Sequence, residues 1–462
     1  MKKIVLVLFL FFFVVTTGFV IAEEAKPALA PAQATEAQSV PSAQAPVAAP
    51  APPKADTGDT AWMLIATALV MLMTPGLAFF YGGMVGRKNV LTILMQCFIL
   101  LAIISIQWVL YGYSLAFGPG KGFWGGFDWI GLTGVGLEPF KDYSATIPHQ
   151  LFMAYQMMFA VITPALIIGA FAERMKFSAF VIIMILWATF VYDPVCHWVW
   201  GVGGWLRDMG ALDYAGGTVV HINAGIAALL TAILIRRRKG SDHKAILPHN
   251  LPFTVLGTAL LWFGWFGFNA GSALAANGLA VNAFVVTNTA AAAAGLTWAI
   301  IDWIFNDKPT MLGTATGAVA GLVAITPAAG FVSALSAIAI GACVSIFCFI
   351  AVAWIKPKFG YDDALDVFGV HCIGGIWGAL ATGLFASKAI NPDGANGLFF
   401  GNPKQFLIQL LAVLVTVAYS LVVTYIIYKL VDLIIKVRVP ERDENLGLDL
   451  TQHHENAYTV ME

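Results

Sequence analysis

"GGTVVHINAGIAALL", Gly216–Leu230, and "DVFGVHCIGGIWGAL", Asp366–Leu380, are the two stretches on which the reading of this chain turns. Each is apolar, rich in small residues, and carries one imidazole, His221 or His371. The small residues let helices approach closely. An ionisable group inside a membrane span is costly and by default marks a pathway. The competing reading is a histidine satisfied by a neighbouring carbonyl. Recurrence of the pattern in a second stretch favours the pathway.

Composition bounds the class. The chain has 462 residues, 59% of them hydrophobic and 11% charged. Soluble domains carry roughly a quarter charged residues. Many apolar runs reach the roughly 20 residues that a helix needs to cross a bilayer. The expected fold is an all-α polytopic membrane protein. A net charge of −1 with no basic domain argues against a nucleic-acid partner. The five cysteines, Cys97, Cys196, Cys343, Cys348 and Cys372, all fall in apolar runs without zinc or redox spacing, and read as small buried hydrophobes.

Residues 1–22 read as a signal peptide, with Lys2 and Lys3 before an apolar run and a small residue, Ala22, at its end. An uncleaved anchor is the alternative. Residues 23–58, rich in Ala and Pro, read as a disordered extracytoplasmic linker. Residues 59–435 form the membrane domain, and 436–462 a polar tail. Hydropathy predicts eleven spans at about 60–84, 90–116, 148–171, 177–200, 217–236, 251–273, 279–304, 311–329, 331–355, 367–387 and 405–435.

Basic residues in the joints orient these spans. Alternate joints carry Arg87, Lys88, Arg174, Lys176, Arg236, Arg237, Arg238, Lys239, Lys244, Lys308, Lys356 and Lys358. The intervening joints carry only Lys121, Lys141, Arg207, Lys388 and Lys404. The expected topology is multi-pass in the cell inner (plasma) membrane, N-terminus outside and C-terminus in the cytoplasm.

His221 and His371 sit near the starts of spans five and ten, each after an acidic residue, Asp213 or Asp366. Spans 1–5 and 6–10 therefore read as two halves, with span 11 added. An odd number of spans per half inserts the second half upside down, and such inverted repeats place their site at the repeat interface. Two imidazoles would then meet from opposite sides. They make too few ligands for a metal centre, and no cofactor or enzymatic nucleophile–base set is expected.

The strings "DYAGGTVVHINAG", "WFGFNAGS", "FAERMKFSA", "DVFGVH" and "GLDLTQHHENAY" resemble the Amt branch of the Amt/Rh ammonium transporter family, over roughly residues 58–462. The resemblance implies an eleven-span inverted-repeat fold, a homotrimer with one pore per subunit, and ammonium uptake. It implies an ammonium recruitment site of Phe159, Trp200 and Ser272, a stacked gate of Phe159 and Phe268, and twin pore histidines, His221 and His371. It also implies support by Asp213 beneath the recruitment site, and aromatic wall positions at Tyr192 and Trp265. Tyr155, one turn before Phe159, stands where the family pattern leads us to expect Phe. The resemblance makes the cytoplasmic tail, 436–462, a docked regulatory segment in contact between subunits, and implies a possible cytoplasmic PII-type signal protein as partner.

The chemistry suits that cargo. Aromatic faces attract a small cation by roughly 0.5–2 kcal/mol each, and a serine oxygen accepts a hydrogen bond that alkali ions cannot donate. Moving a bare charge into an apolar pore costs several kcal/mol even after relaxation. Binding ammonium, removing its proton and conducting ammonia avoids that cost. Imidazoles can donate and accept along such a path. The net charge moved is expected to be positive. The alternatives are an electroneutral ammonia or carbon dioxide gas channel of Rh type, and an ammonium sensor. For Asp213, a scaffold role is expected over direct cation binding.

Overall fold

The computed structural model describes residues 54–239 and 247–458. The expected signal, nearly all of the expected linker, and Lys244 lie outside the described residues. The first helix begins at Thr57, two residues inside the segment read as linker, because Asp56 accepts from Asp59 N and caps it.

Among the described residues eleven apolar helices form the body. They are α1 (Thr57–Met84), α2 (Val90–Gln107, extended through Trp108–Gly112 into Tyr113–Phe117), α3 (His149–Phe171) and α4 (Phe177–Trp187, extended through Ala188–Tyr192 into Asp193–Trp200). Then come α5 (Gly217–Ile222 into Asn223–Ile235), α6 (Leu251–Ala270), α7 (Gly278–Asn306) and α8 (Met311–Ile325). Last are α9 (Ala334–Ile350 through Ala351–Ile355 into Lys356–Phe359), α10 (Phe368–Cys372 into Ile373–Phe385) and α11 (Pro403–Ile435). Among the described residues ten of these are long and apolar enough to cross a membrane, and α8 is the shorter eleventh. The sequence reading carried span eight to 329. The helix stops at Ile325, where Thr326 turns its hydroxyl back onto the Leu322 carbonyl and "TPAAG" follows as turns.

Basic residues gather on one face, at the ends of α3, α5 and α9. There Arg174, fully buried, donates to the carbonyls of Ala170 (2.8 Å), Ala172 (3.0 Å), Arg236 (2.9 Å) and Asp362. Arg238 bridges Glu173 and Asp362, each at 2.8 Å. Burial alone would raise both carboxyls, but Arg238 outweighs it and holds them below their ordinary values. This knot ties the ends of α3, α5 and α9. The tail continues it with α12 (Glu441–Leu446) and α13 (Leu448–His453). Asp449 accepts from Leu91 N (3.0 Å), Thr92 N (2.7 Å) and the Thr92 hydroxyl (2.9 Å), so the tail caps the start of α2.

The two halves meet along α1 and α6, and again where α5 and α10 cross. Both α5 and α10 open with a π-helical turn that holds the histidine, and each turn lies against the regular helix of the other half. Gly225 and Gly375, one turn beyond the two histidines, make this possible. A Cβ on Gly225 would overlap the backbone nitrogen of Cys372, and one on Gly375 would press on His221 Cβ at 3.0 Å. Gly225→Ala is therefore expected to destabilise the fold by about 1–3 kcal/mol. Gly375→Ala, whose nearest neighbours include yielding side-chain carbons, should cost less. Melting curves of the purified protein in detergent test this order, and equal melting temperatures would contradict it.

Candidate functional site

Three cavities follow one another through shared or touching walls toward the basic face, the first of them on the far side. The first, about 210 Å³, is lined by Phe159, Trp200, Asp213 and Ser272, with Asp142 and Arg207 at its rim. The second, only about 10 Å³, is walled by apolar side chains, Trp265, Phe268 and both histidines. That is room for about one water-sized molecule. The third, about 220 Å³, holds His371, Tyr81 and Asp302 and leads to the basic face. Phe159 belongs to the first cavity and Phe268 to the second. Their rings lie 4.2 Å apart, tilted 31°, so the pair forms the partition between them.

The first cavity is built on a cap. Gly216, at φ 121°, holds a conformation open to glycine. It turns the following amides toward the Asp213 carboxylate, which accepts from Gly216 N (2.8 Å), Gly217 N (2.6 Å), Thr218 N (2.8 Å), Val219 N (3.2 Å) and the Thr218 hydroxyl. The carboxylate thus meets the positive end of α5. The Asp213 carbonyl in turn accepts from Trp200 Nε1 at 2.8 Å. The Trp200 ring stands 5.9 Å from Phe159 and nearly perpendicular to it, at 88°. Ser272 donates to the Phe268 carbonyl at 2.9 Å.

In the second cavity His221 and His371 are both buried, and their Nδ1 atoms lie 3.4 Å apart. The rings are nearly parallel, with centroids 5.4 Å apart. Trp265 stacks on His221 at 5.5 Å and anchors itself on the Thr326 hydroxyl at 2.9 Å. His221 Nε2 has no partner among the described residues. Among the described residues no group of three His, Cys, Asp or Glu gathers as a metal site.

One reading needs correction, and one residue stands outside the linings of these three cavities, Tyr192. It lies at the end of the π turn of α4, which carries its ring toward Trp108 of α2, 6.2 Å away. The counterpart of Asp213 is Asp363, not Asp366. Asp363 accepts from Phe368 N at 2.7 Å and caps α10, whereas Asp366 takes Lys356 at 2.6 Å. The 150-residue spacing of the histidines also relates Asp213 to Asp363, and would have found it. Sequence reasoning noted Tyr155 only as an unexpected ring; its hydroxyl reaches Ser272 at 3.2 Å.

A family model described as Ammonium Transporter Family matches residues 61–458. The chain is 57% identical over 401 residues to an ammonium transporter of Bacillus subtilis (strain 168), spanning 87% of this chain and 98% of that one. Among solved structures, Candida albicans Mep2 matches with a TM-score of 0.80 at 37% identity, over 87% of this chain and 90% of Mep2. A Sensor Amt Protein matches with a TM-score of 0.78 at 29% identity, over 86% of this chain and 98% of that one.

The two caps differ in one testable way. Asp363 is fully buried, and its Oδ1 has no partner among the described residues. Burial, only partly offset by Lys356, pushes its carboxyl up to about 6 from 3.8. The native state therefore holds a proton that the unfolded chain releases between those values. Stability should fall as pH rises from about 4 to about 6, by at most ~3 kcal/mol. Asp363→Asn keeps an acceptor for Phe368 N and is expected to flatten that limb of the melting temperature against pH. An unchanged limb would assign it to another group.

Proposed function

The chain belongs to the ammonium transporter family, a family of transporters rather than enzymes, and we propose that it takes up ammonium by separating the proton from ammonia inside the membrane. The observation that carries this reading is the 10 Å³ apolar cavity shared by two facing imidazoles. A hydrated cation does not fit there, and a bare one loses several kcal/mol of hydration. Neutral ammonia fits and can hydrogen-bond to a ring nitrogen.

Ammonium binds first in the 210 Å³ cavity. Trp200 and Phe159 offer ring faces, and Ser272, whose hydrogen is drawn inward to Phe268, offers an oxygen lone pair. Asp213 acts as scaffold, since four backbone amides and a hydroxyl already occupy its carboxylate. An N–H bond then breaks with the electron pair left on nitrogen, and the proton is taken up at the bare Nε2 of the imidazole pair. Ammonia passes the Phe159–Phe268 partition and meets the histidines.

The proton follows through the imidazole pair. When one Nδ1 donates to the other, the accepting ring carries its hydrogen on Nε2, and the donating ring has a bare Nε2. Exchange of tautomers therefore relays one proton across the pair. Ammonia and proton recombine beyond it, and one positive charge moves per ammonium. The site faces outward at the far face and the cytoplasm at the basic face, in keeping with the bias of Lys and Arg. A homotrimer in the cell inner membrane, and a PII-type protein meeting the basic face, belong to the same reading.

Solid-supported membrane electrophysiology tests it. Ammonium pulses should evoke current from the wild-type chain, and none from an electroneutral gas channel. His221→Ala and His371→Ala should lower that current on the order of a hundredfold or lose exclusion of other cations. Unchanged current and selectivity in both variants would overturn the pore role. Trp200→Ala should raise the apparent KM by roughly 2- to 30-fold through loss of a cation–ring contact, and an unchanged KM would remove Trp200 from the site.

A further inference from the structure

Tyr155 is fully buried behind the first cavity, with its ring edge-on to Phe159 at 5.0 Å. Its hydroxyl lies 2.9 Å from the Gly267 carbonyl, 2.8 Å from the Phe268 carbonyl and 3.2 Å from Ser272 Oγ. Ser272 Oγ itself lies 2.9 Å from the Phe268 carbonyl. Two hydroxyl hydrogens thus serve two carbonyls that can only accept.

Counting hydrogens fixes their directions. The single hydrogen of Tyr155 is drawn to a carbonyl, because both carbonyls are closer than Ser272 and neither can donate. The Tyr155 oxygen is then an acceptor beside Ser272. The single hydrogen of Ser272 has two acceptors on its buried side, the Phe268 carbonyl and the Tyr155 oxygen. On the cavity side Ser272 is left with lone pairs alone. With Phe in place of Tyr155, the Ser272 hydrogen keeps the Phe268 carbonyl as its one inward acceptor instead of two, and so turns into the cavity more often. A hydrogen pointing outward opposes a cation whose hydrogens all seek acceptors.

We propose that Tyr155 is a positioning residue for ammonium recruitment, acting through Ser272: its hydroxyl holds the serine as an acceptor toward the cavity. The inference rests on the assignment of Ser272 to the recruitment site. It concerns binding alone, since Tyr155 lines neither the second nor the third cavity.

The test is a two-residue cycle in proteoliposomes, reading ammonium-evoked current against concentration for Tyr155→Phe, Ser272→Ala and the double variant. Phe is the residue that the sequence pattern leads one to expect at 155, so the ring is accommodated. Tyr155→Phe should raise the apparent KM about two- to tenfold, the range of one neutral hydrogen bond, with the saturating current unchanged. On the Ser272→Ala background the same change should have no further effect. If Ser272→Ala raises KM but Tyr155→Phe does not, the positioning role is wrong while the recruitment site stands. A Tyr155→Phe effect that persists without Ser272, or that lowers saturating current instead of raising KM, also overturns it. If Ser272→Ala leaves KM unchanged, the recruitment assignment itself fails.

Discussion

The close approach of α5 and α10 governs the rest of this structure. Each helix presents a glycine, Gly225 or Gly375, to the histidine-bearing turn of the other half. Without that approach the imidazoles would not stand with Nδ1 atoms 3.4 Å apart. In an apolar medium the pairing matters twice. It satisfies one polar atom on each ring, whose loss would be costly, and it leaves beside the rings a cavity of only about 10 Å³. Trp265, stacked on His221, then limits how far the pair can rotate.

The cap residues turn this crossing into two unequal ends. Asp213 and Asp363 hold equivalent places before the two π turns. Asp213 is saturated with amides and lends its carbonyl to Trp200, so the backbone cap also orients the aromatic face of the first cavity. Asp363 keeps an orphaned oxygen and sits near Lys356 and Asp366. The inverted repeat thus supplies symmetry in the chain path and asymmetry in the chemistry. Phe159, Trp200 and Ser272 gather at one end, and an ionic knot around Arg174 and Arg238 gathers at the other.

That knot has a mechanical role. Arg174 donates to four carbonyls contributed by the ends of α3, α5 and the segment after α9. Removing one partner of a buried ion pair is expensive, roughly 3–5 kcal/mol, so these ends move together. The tail joins the same unit through Asp449 on α2 and through Glu444, which accepts from Lys239 N at 2.6 Å and Arg438 at 2.7 Å.

Hydropathy and charge bias, read from the chain alone, determined the class, the number and order of the helices, and the two-half plan, because bilayer length and the cost of buried charge act on composition directly. The imidazole pair was legible for the same reason: an ionisable group stands out in an apolar run. Motif resemblance supplied Phe159, Trp200, Phe268 and Ser272 as candidates. What the tertiary structure alone decided was which polar atoms meet. The π turns, which no apolar periodicity encodes, swung Tyr192 toward α2. Backbone direction at the start of α10 gave the cap to Asp363 and left Asp366 to Lys356. The end of α6 placed two carbonyls within reach of Tyr155. Hydrogen bonds are directional and short, so a linear pattern of residue types can announce that a polar group is buried but cannot say what it touches.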